Sequence, residues 1–157
     1  MAQESTRRTD ELQGLLRRLQ EGHEAFTAAI EQARPQDFER ERQGSRSLKW
    51  VLERAVDDLN LYYGRLVANA LSLPQPPYLE PSDFASLAEA KASLQTAHRR
   101  FSNLLHDLRP TDLKRRAAME AGSEFKLREV LEMTIAHYKL RAEQVKAAGK
   151  TTAKKDR

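Results

Sequence analysis

Two stretches of this chain are near copies of one helix, and that repeat restricts the fold more than any other feature. Residues 47–66 read SLKWVLERAVDDLNLYYGRL and residues 126–145 read KLREVLEMTIAHYKLRAEQV. Laid together without a gap, Leu48 meets Leu127, Lys49 meets Arg128, Val51 meets Val130, Leu52 meets Leu131, Glu53 meets Glu132 and Leu61 meets Leu140. Apolar residues recurring at three- and four-residue steps mark one face of a helix. Two helices with the same face belong in one bundle around a shared core. A site between them would draw on Arg54 and Asp58, a turn apart on the first, and on His137 and Arg141, a turn apart on the second.

Two further segments complete the set. The spacing predicts a first helix over residues 9–32, with Thr9 as its cap and Asp10 and Glu11 in the first turn, where the helix dipole favours negative charge. Leu12, Leu15, Leu16, Leu19, Phe26 and Ile30 form its stripe, and His23 lies on that stripe. The second helix, over 47–71, offers Leu48, Val51, Leu52, Ala55, Leu59, Tyr62 and Leu66. Then comes LPQPPYLEP, whose four prolines fix φ and remove donors, so a stiff extended crossing is expected. The third helix, over 86–108, opens on a Ser86/Glu89 capping box and turns Leu87, Leu94, Ala97, Phe101, Leu104, Leu105 and Leu108 inward. Residues 111–124 are expected to be a loop with one helical turn at 111–114. The fourth helix is placed over 125–148, with Gly149 as its stop. The fold class is all-α: one four-helix bundle domain over residues 1–148, with two long connections.

Charge looks informative until it is located. The sequence pI is about 9.5. Residues 146–157 carry five Lys/Arg and one Asp, and the whole chain nets +4, so residues 1–145 net to zero. The basicity is a tail, and residues 149–157 read as disordered. No basic stripe with interleaved aromatics accompanies it, which argues against nucleic acid as a partner. There is no cysteine, hence no disulfide framework and no thiolate metal site, and the composition suits a reducing cytoplasm. No apolar run reaches the ~20 residues of a membrane span, and the polar start does not read as a signal peptide. No G-x-S-x-G, phosphate loop or H-E-x-x-H is present, so a self-contained hydrolytic or phosphoryl-transfer apparatus is not expected. His98 sits at core spacing like His23, and both read as satisfied core histidines; His106 reads as exposed. Trp50 reads as a core or rim anchor, and the Tyr62–Tyr63 pair as packing between helices or across a dimer seam.

Three stretches carry a resemblance: SLKWVLERAVDD, then FASLAEAKASLQTAHRRFSNLLHDLRPTDLKRR, then KLREVLEMTIAHYKLRAEQV. In order and spacing they resemble the DinB-like (DinB/YfiT-like) four-helix bundle family over nearly the whole chain. The resemblance implies a divalent metal, Zn or Ni, held by one histidine of helix 2 and two of an H-x-x-x-H on helix 4. Carried over, the helix 4 pair falls on His137 and Arg141. The helix 2 ligand falls on Arg54, or on Asp58 after a one-turn shift. A guanidinium has no lone pair to give and repels a cation. At ~4 Å and an effective dielectric of ~20 that repulsion is roughly 8 kcal/mol against a divalent ion. The expectation is therefore a member without the family metal, acting as a small-ligand or partner-binding bundle with Arg54, Asp58, His137 and Arg141 lining its cleft. Any residual metal would rest on His137 and Asp58. The resemblance also implies a homodimer, and the arginines suggest a small anionic ligand. The alternative it implies is a metal-dependent thiol S-transferase or isomerase. A DNA damage-linked, nucleic-acid-associated role is the lesser one.

Overall fold

In a computed structural model of the chain, the structure describes residues 2–41, 44–118, 122 and 124–153. Five α-helices build it: α1 (Ala2–Glu31), α2 (Leu48–Asp58), α3 (Gly64–Ala70), α4 (Leu87–Leu104) and α5 (Leu127–Ala153). A π turn, Leu59–Tyr63, joins α2 to α3 without a break, so residues 48–70 act as one rod and the bundle has four members. The rod packs on both α4 and α5, while α1 packs most extensively on α5. Stacked His23 and His98 rings join α1 to α4 and close the circuit. Most residues that the periodicity marks are in the core, but Leu16, Tyr62, Leu104 and Leu108 are only partly buried and Leu140, matched with Leu61 in the repeat, is 53% exposed, while Phe38, Phe84, Leu113 and Tyr138 are buried without having been marked. Phe26, Leu52, Leu66, Leu127, Val130, Leu131 and Tyr138 have no exposed surface, each apolar side chain of this kind stabilising by about 1.5–3 kcal/mol.

Several boundaries differ from expectation, for local reasons. α1 begins at Ala2, not at Thr9, because the segment before Thr9 is itself a good helix: Arg8 pairs with Glu4 at 2.8 Å and Thr6 Oγ1 donates to the Ala2 carbonyl. Ser47 and Ser86 do cap their helices, accepting from the Trp50 and Glu89 amides, so α2 and α4 start one residue later than the expected spans. α4 ends at Leu104 rather than Leu108, where the Leu105 and His106 amides bond three residues back. α5 runs through Gly149 to Ala153, so that glycine does not stop it; residues 154–157 of the expected tail lie outside the described residues. The second connection is more ordered than a loop. A 3₁₀ turn spans Pro110–Lys114, and Arg116–Ala118 (β1) pairs antiparallel with Glu124–Lys126 (β2), Ala117 opposite Phe125. Phe125 therefore belongs to a strand, and α5 starts at Leu127.

The proline-rich crossing is pinned by the outer face of the rod. Asp57 accepts from the Ser82 amide at 2.9 Å and its hydroxyl at 2.7 Å, Glu53 from the Phe84 amide at 2.8 Å, and Arg65 donates to the Pro76 carbonyl at 2.9 Å. Two acidic side chains of α2 are thus committed to the crossing. Two glycines matter for geometry. At Gly22 a Cβ would lie 3.2 Å from the Tyr138 Cβ, so α1 lets α5 approach there. At Gly64 the amide donates five residues back to the Leu59 carbonyl, the bond that makes the turn π. A Cβ at Gly64 would lie 2.7 Å from that same oxygen. Among the described residues no helix is long and apolar enough to cross a membrane.

Candidate functional site

The repeat that organises the bundle also builds its polar centre. The offset that sets Leu52 against Leu131 sets Asp58 against His137, and these two side chains face each other across the α2–α5 seam. Asp58 Oδ2 lies 3.6 Å from His137 Nδ1 and accepts from Arg141 Nη2 at 3.1 Å. Arg141 Nη1 donates to the Gln144 side chain at 2.8 Å. Side-chain exposure is 2% for His137, 9% for Arg141 and 25% for Asp58, so both basic groups sit inside the seam and the carboxylate at its edge.

Burial is the largest influence on His137 and pushes its pKa down. Asp58 and a hydrogen bond with the Ala55 backbone oppose that shift, while Arg141 and Arg54 add to it. The imidazole is therefore neutral near pH 7, and its contact with Asp58 is not an ion pair there. Arg141 is the counter-ion of Asp58. Two buried polar atoms of this centre have no hydrogen-bond partner: His137 Nε2 and Arg141 Nε.

Of the two helix 2 positions that the family pattern left open, Asp58 is the one brought to His137 and Arg141. Arg54 is exposed, a turn nearer the start of α2. It belongs to a rim that the sequence did not reveal. The guanidinium carbons of Arg46, Arg54 and Arg141 lie 4.8, 5.8 and 5.6 Å from the centroid of the Trp50 ring. Tyr63, turned by the π segment, has its ring centroid 5.2 Å from that of His137 and 5.1 Å from that of Tyr62. A clue to Asp58 was available in the ungapped repeat. For Arg46, outside the repeat in a charged loop, there was none.

A second polar cluster begins one residue on. Tyr138 is fully buried and bonded to His98 Nδ1 at 2.7 Å. Burial raises the Tyr138 pKa, so its hydroxyl stays protonated, and His98 Nε2 faces Ser102 Oγ at 3.4 Å. The His23 ring lies parallel to His98 at 3.5 Å, and its Nδ1 is buried without a partner. His98 is thus satisfied as expected and His23 only in part; His106 is exposed. Burial lowers the pKa of His23, and burial together with His23 lowers that of His98 to about 4.

The folded-state values of His23, His98 and His137 lie below the ordinary 6.5, so the unfolded chain binds more protons from about pH 6.5 down to about pH 4. Stability should be complete above that window and fall as the pH drops through it. With the His98 shift discounted for its partly solvated ring, it should account for about 1–2 kcal/mol. Urea midpoints measured across the window test this, and His98→Gln should flatten the profile.

Among the described residues no three His, Cys, Asp or Glu side chains are grouped to hold a metal ion. Asp58 and His137 are two donors, and the third helical position presents a guanidinium. A family profile described as the DinB superfamily matches residues 43–145. Among solved structures, the chain matches YfiT from Bacillus subtilis with a TM-score of 0.69 at 18% identity, covering 90% of this chain and 87% of that one. That protein is described as a probable metal-dependent hydrolase with an unusual four-helix bundle topology. At this identity the likeness is one of fold. No curated protein matches.

Proposed function

This chain belongs to the DinB superfamily, and we infer that its α2–α5 cleft is a small-ligand site in which an ion pair stands where the family pattern implies a metal. The observation that carries this is the guanidinium of Arg141, 3.1 Å from Asp58 Oδ2. A divalent ion at Asp58 and His137 would have to displace that cation or sit beside it, and at ~4 Å the repulsion is roughly 8 kcal/mol at an effective dielectric of ~20. The donor set present does not fit a three-ligand metal centre. What remains is a part-buried polar seam with Trp50 beside Arg141, Tyr63 beside His137, and two unpartnered polar atoms, His137 Nε2 and Arg141 Nε. Aromatic side chains with a few convergent polar groups are the ordinary composition of a small-molecule pocket.

The competing reading, a metal-dependent thiol S-transferase or isomerase, would keep Asp58 and His137 as donors and swing Arg141 aside. Elemental analysis of untagged protein separates the two. We expect less than about a tenth of an equivalent of Zn, Ni, Fe or Mn, and no rise in melting temperature on adding Zn or Ni, since a metal bound only to the native state stabilises it by mass action. Stoichiometric metal that disappears in His137→Ala would establish the metal-dependent reading instead.

A further inference from the structure

We propose that the Trp50 rim is an anion-recognition site, which takes the phosphate or carboxylate head of a small organic ligand at the mouth of the α2–α5 cleft. This rests on reading the cleft as a ligand site rather than a metal centre. The first observation is convergence. Three guanidinium groups approach one indole, at 4.8, 5.8 and 5.6 Å, from three places: Arg46 in the loop before α2, Arg54 on α2 and Arg141 on α5. Stacking on an aromatic face holds a guanidinium flat and leaves its fork of N–H groups free at the edge. That fork matches the two oxygens of a carboxylate or phosphate.

The second observation is charge. The nearby carboxylates are engaged. Asp57 and Glu53 take backbone amides of the crossing, Glu53 also faces Lys49, Lys49 holds Asp83, and Asp58 is taken by Arg141. Among the described residues neither Arg46 nor Arg54 lies within ion-pair distance of a carboxylate. Arg46 and Arg54 thus leave two uncompensated cations beside one ring, and an anion arriving from solution would offset their charge. The third observation lies deeper. Arg141, 9% exposed, keeps a buried Nε without a hydrogen-bond partner, and His137 Nε2 is likewise buried and unpartnered.

Trp50 is the chain's only tryptophan, so its emission reports on this rim alone. Metal-free full-length protein is titrated with inorganic phosphate and, separately, with citrate, against sodium chloride at matched ionic strength. The expected result is a saturable change in Trp50 emission with at least one of the two anions and none with chloride. It should weaken at least about tenfold in an Arg46→Ala/Arg54→Ala variant, the loss of two charge-assisted contacts. Both residues are exposed, so the variant should keep the wild-type circular dichroism and melting temperature. Saturation by phosphate alone or by citrate alone names the head group. No saturable change with either, or saturation untouched in the double variant, overturns the proposal. That failure in a protein that still takes up no zinc would leave the ligand-site reading standing, whereas stoichiometric zinc would remove both.

Discussion

Asp58→His combined with Arg141→His should turn the cleft into a zinc or nickel site. The two new imidazoles and His137 would occupy the positions at which Asp58, His137 and Arg141 already meet within 3.1 to 3.6 Å. A neutral imidazole nitrogen donates to such ions, and removing the guanidinium removes the repulsion that opposes them. With metal at a thousand times its dissociation constant, the native state should gain about 4 kcal/mol. For a domain of this size each kcal/mol shifts the melting temperature by about 2–4 °C, so a rise on the order of 10 °C is expected on adding zinc, with one equivalent retained after dialysis. Wild type should show neither. A folded double variant with no gain in metal affinity would mean that the three positions converge less closely than their side-chain distances indicate.

The second large effect should come from Asp58→Asn. The substitution keeps the shape but strips Arg141 of its counter-ion, and Arg141 has only 9% of its side chain exposed. Breaking a fully buried pair typically costs about 3–5 kcal/mol, because a charge is left without compensation. Asp58 is 25% exposed, and water reaching Arg141 through that edge should reduce the cost to about 2–3 kcal/mol. Denaturant unfolding would read it as a lower midpoint at unchanged slope. Arg54→Ala is the control. An exposed arginine whose guanidinium carbon lies 5.8 Å from the indole centroid should change stability by less than about 0.5 kcal/mol. Equal losses in the two variants would show that burial of the pair is not what stabilises it.

How far the sequence carried the reading depends on the range of the interaction involved. The bundle was legible because Leu48, Leu52, Leu127 and Leu131 announce their burial by local periodicity, and all four are 3% exposed or less. The centre of the site was legible too, in the repeat: the offset that aligns the leucines aligns Asp58 with His137. The family pattern pointed first to Arg54, one turn away on the same helix face, and only the packing of α2 on α5 decides between them. Elements set by longer-range balance were invisible. β1 and β2 are three residues each, too short to show alternation. Thr9 and Gly149 carry residue types that end helices, yet neither ends one here, because their neighbours continue the helical hydrogen bonding in both directions. Arg46 joins the rim only because the first connection brings it back over Trp50.

One feature of the rod constrains how this sequence can change over time. The π turn places one residue more between Asp58 and Gly64 than a plain helix would, and Gly64 is the residue whose missing side chain makes room for the displaced Leu59 carbonyl. The insertion and the glycine are interlocked. Gain of a side chain at Gly64 is blocked while the extra residue remains. Loss of the extra residue would turn Tyr63 away from His137 and rotate Leu66, Val67 and Ala70 out of register with the core. Neither change can be fixed first without passing through a damaged protein. The position of the Tyr63 ring, 5.2 Å from that of His137, is therefore tied to the π turn and to the bare Gly64 together.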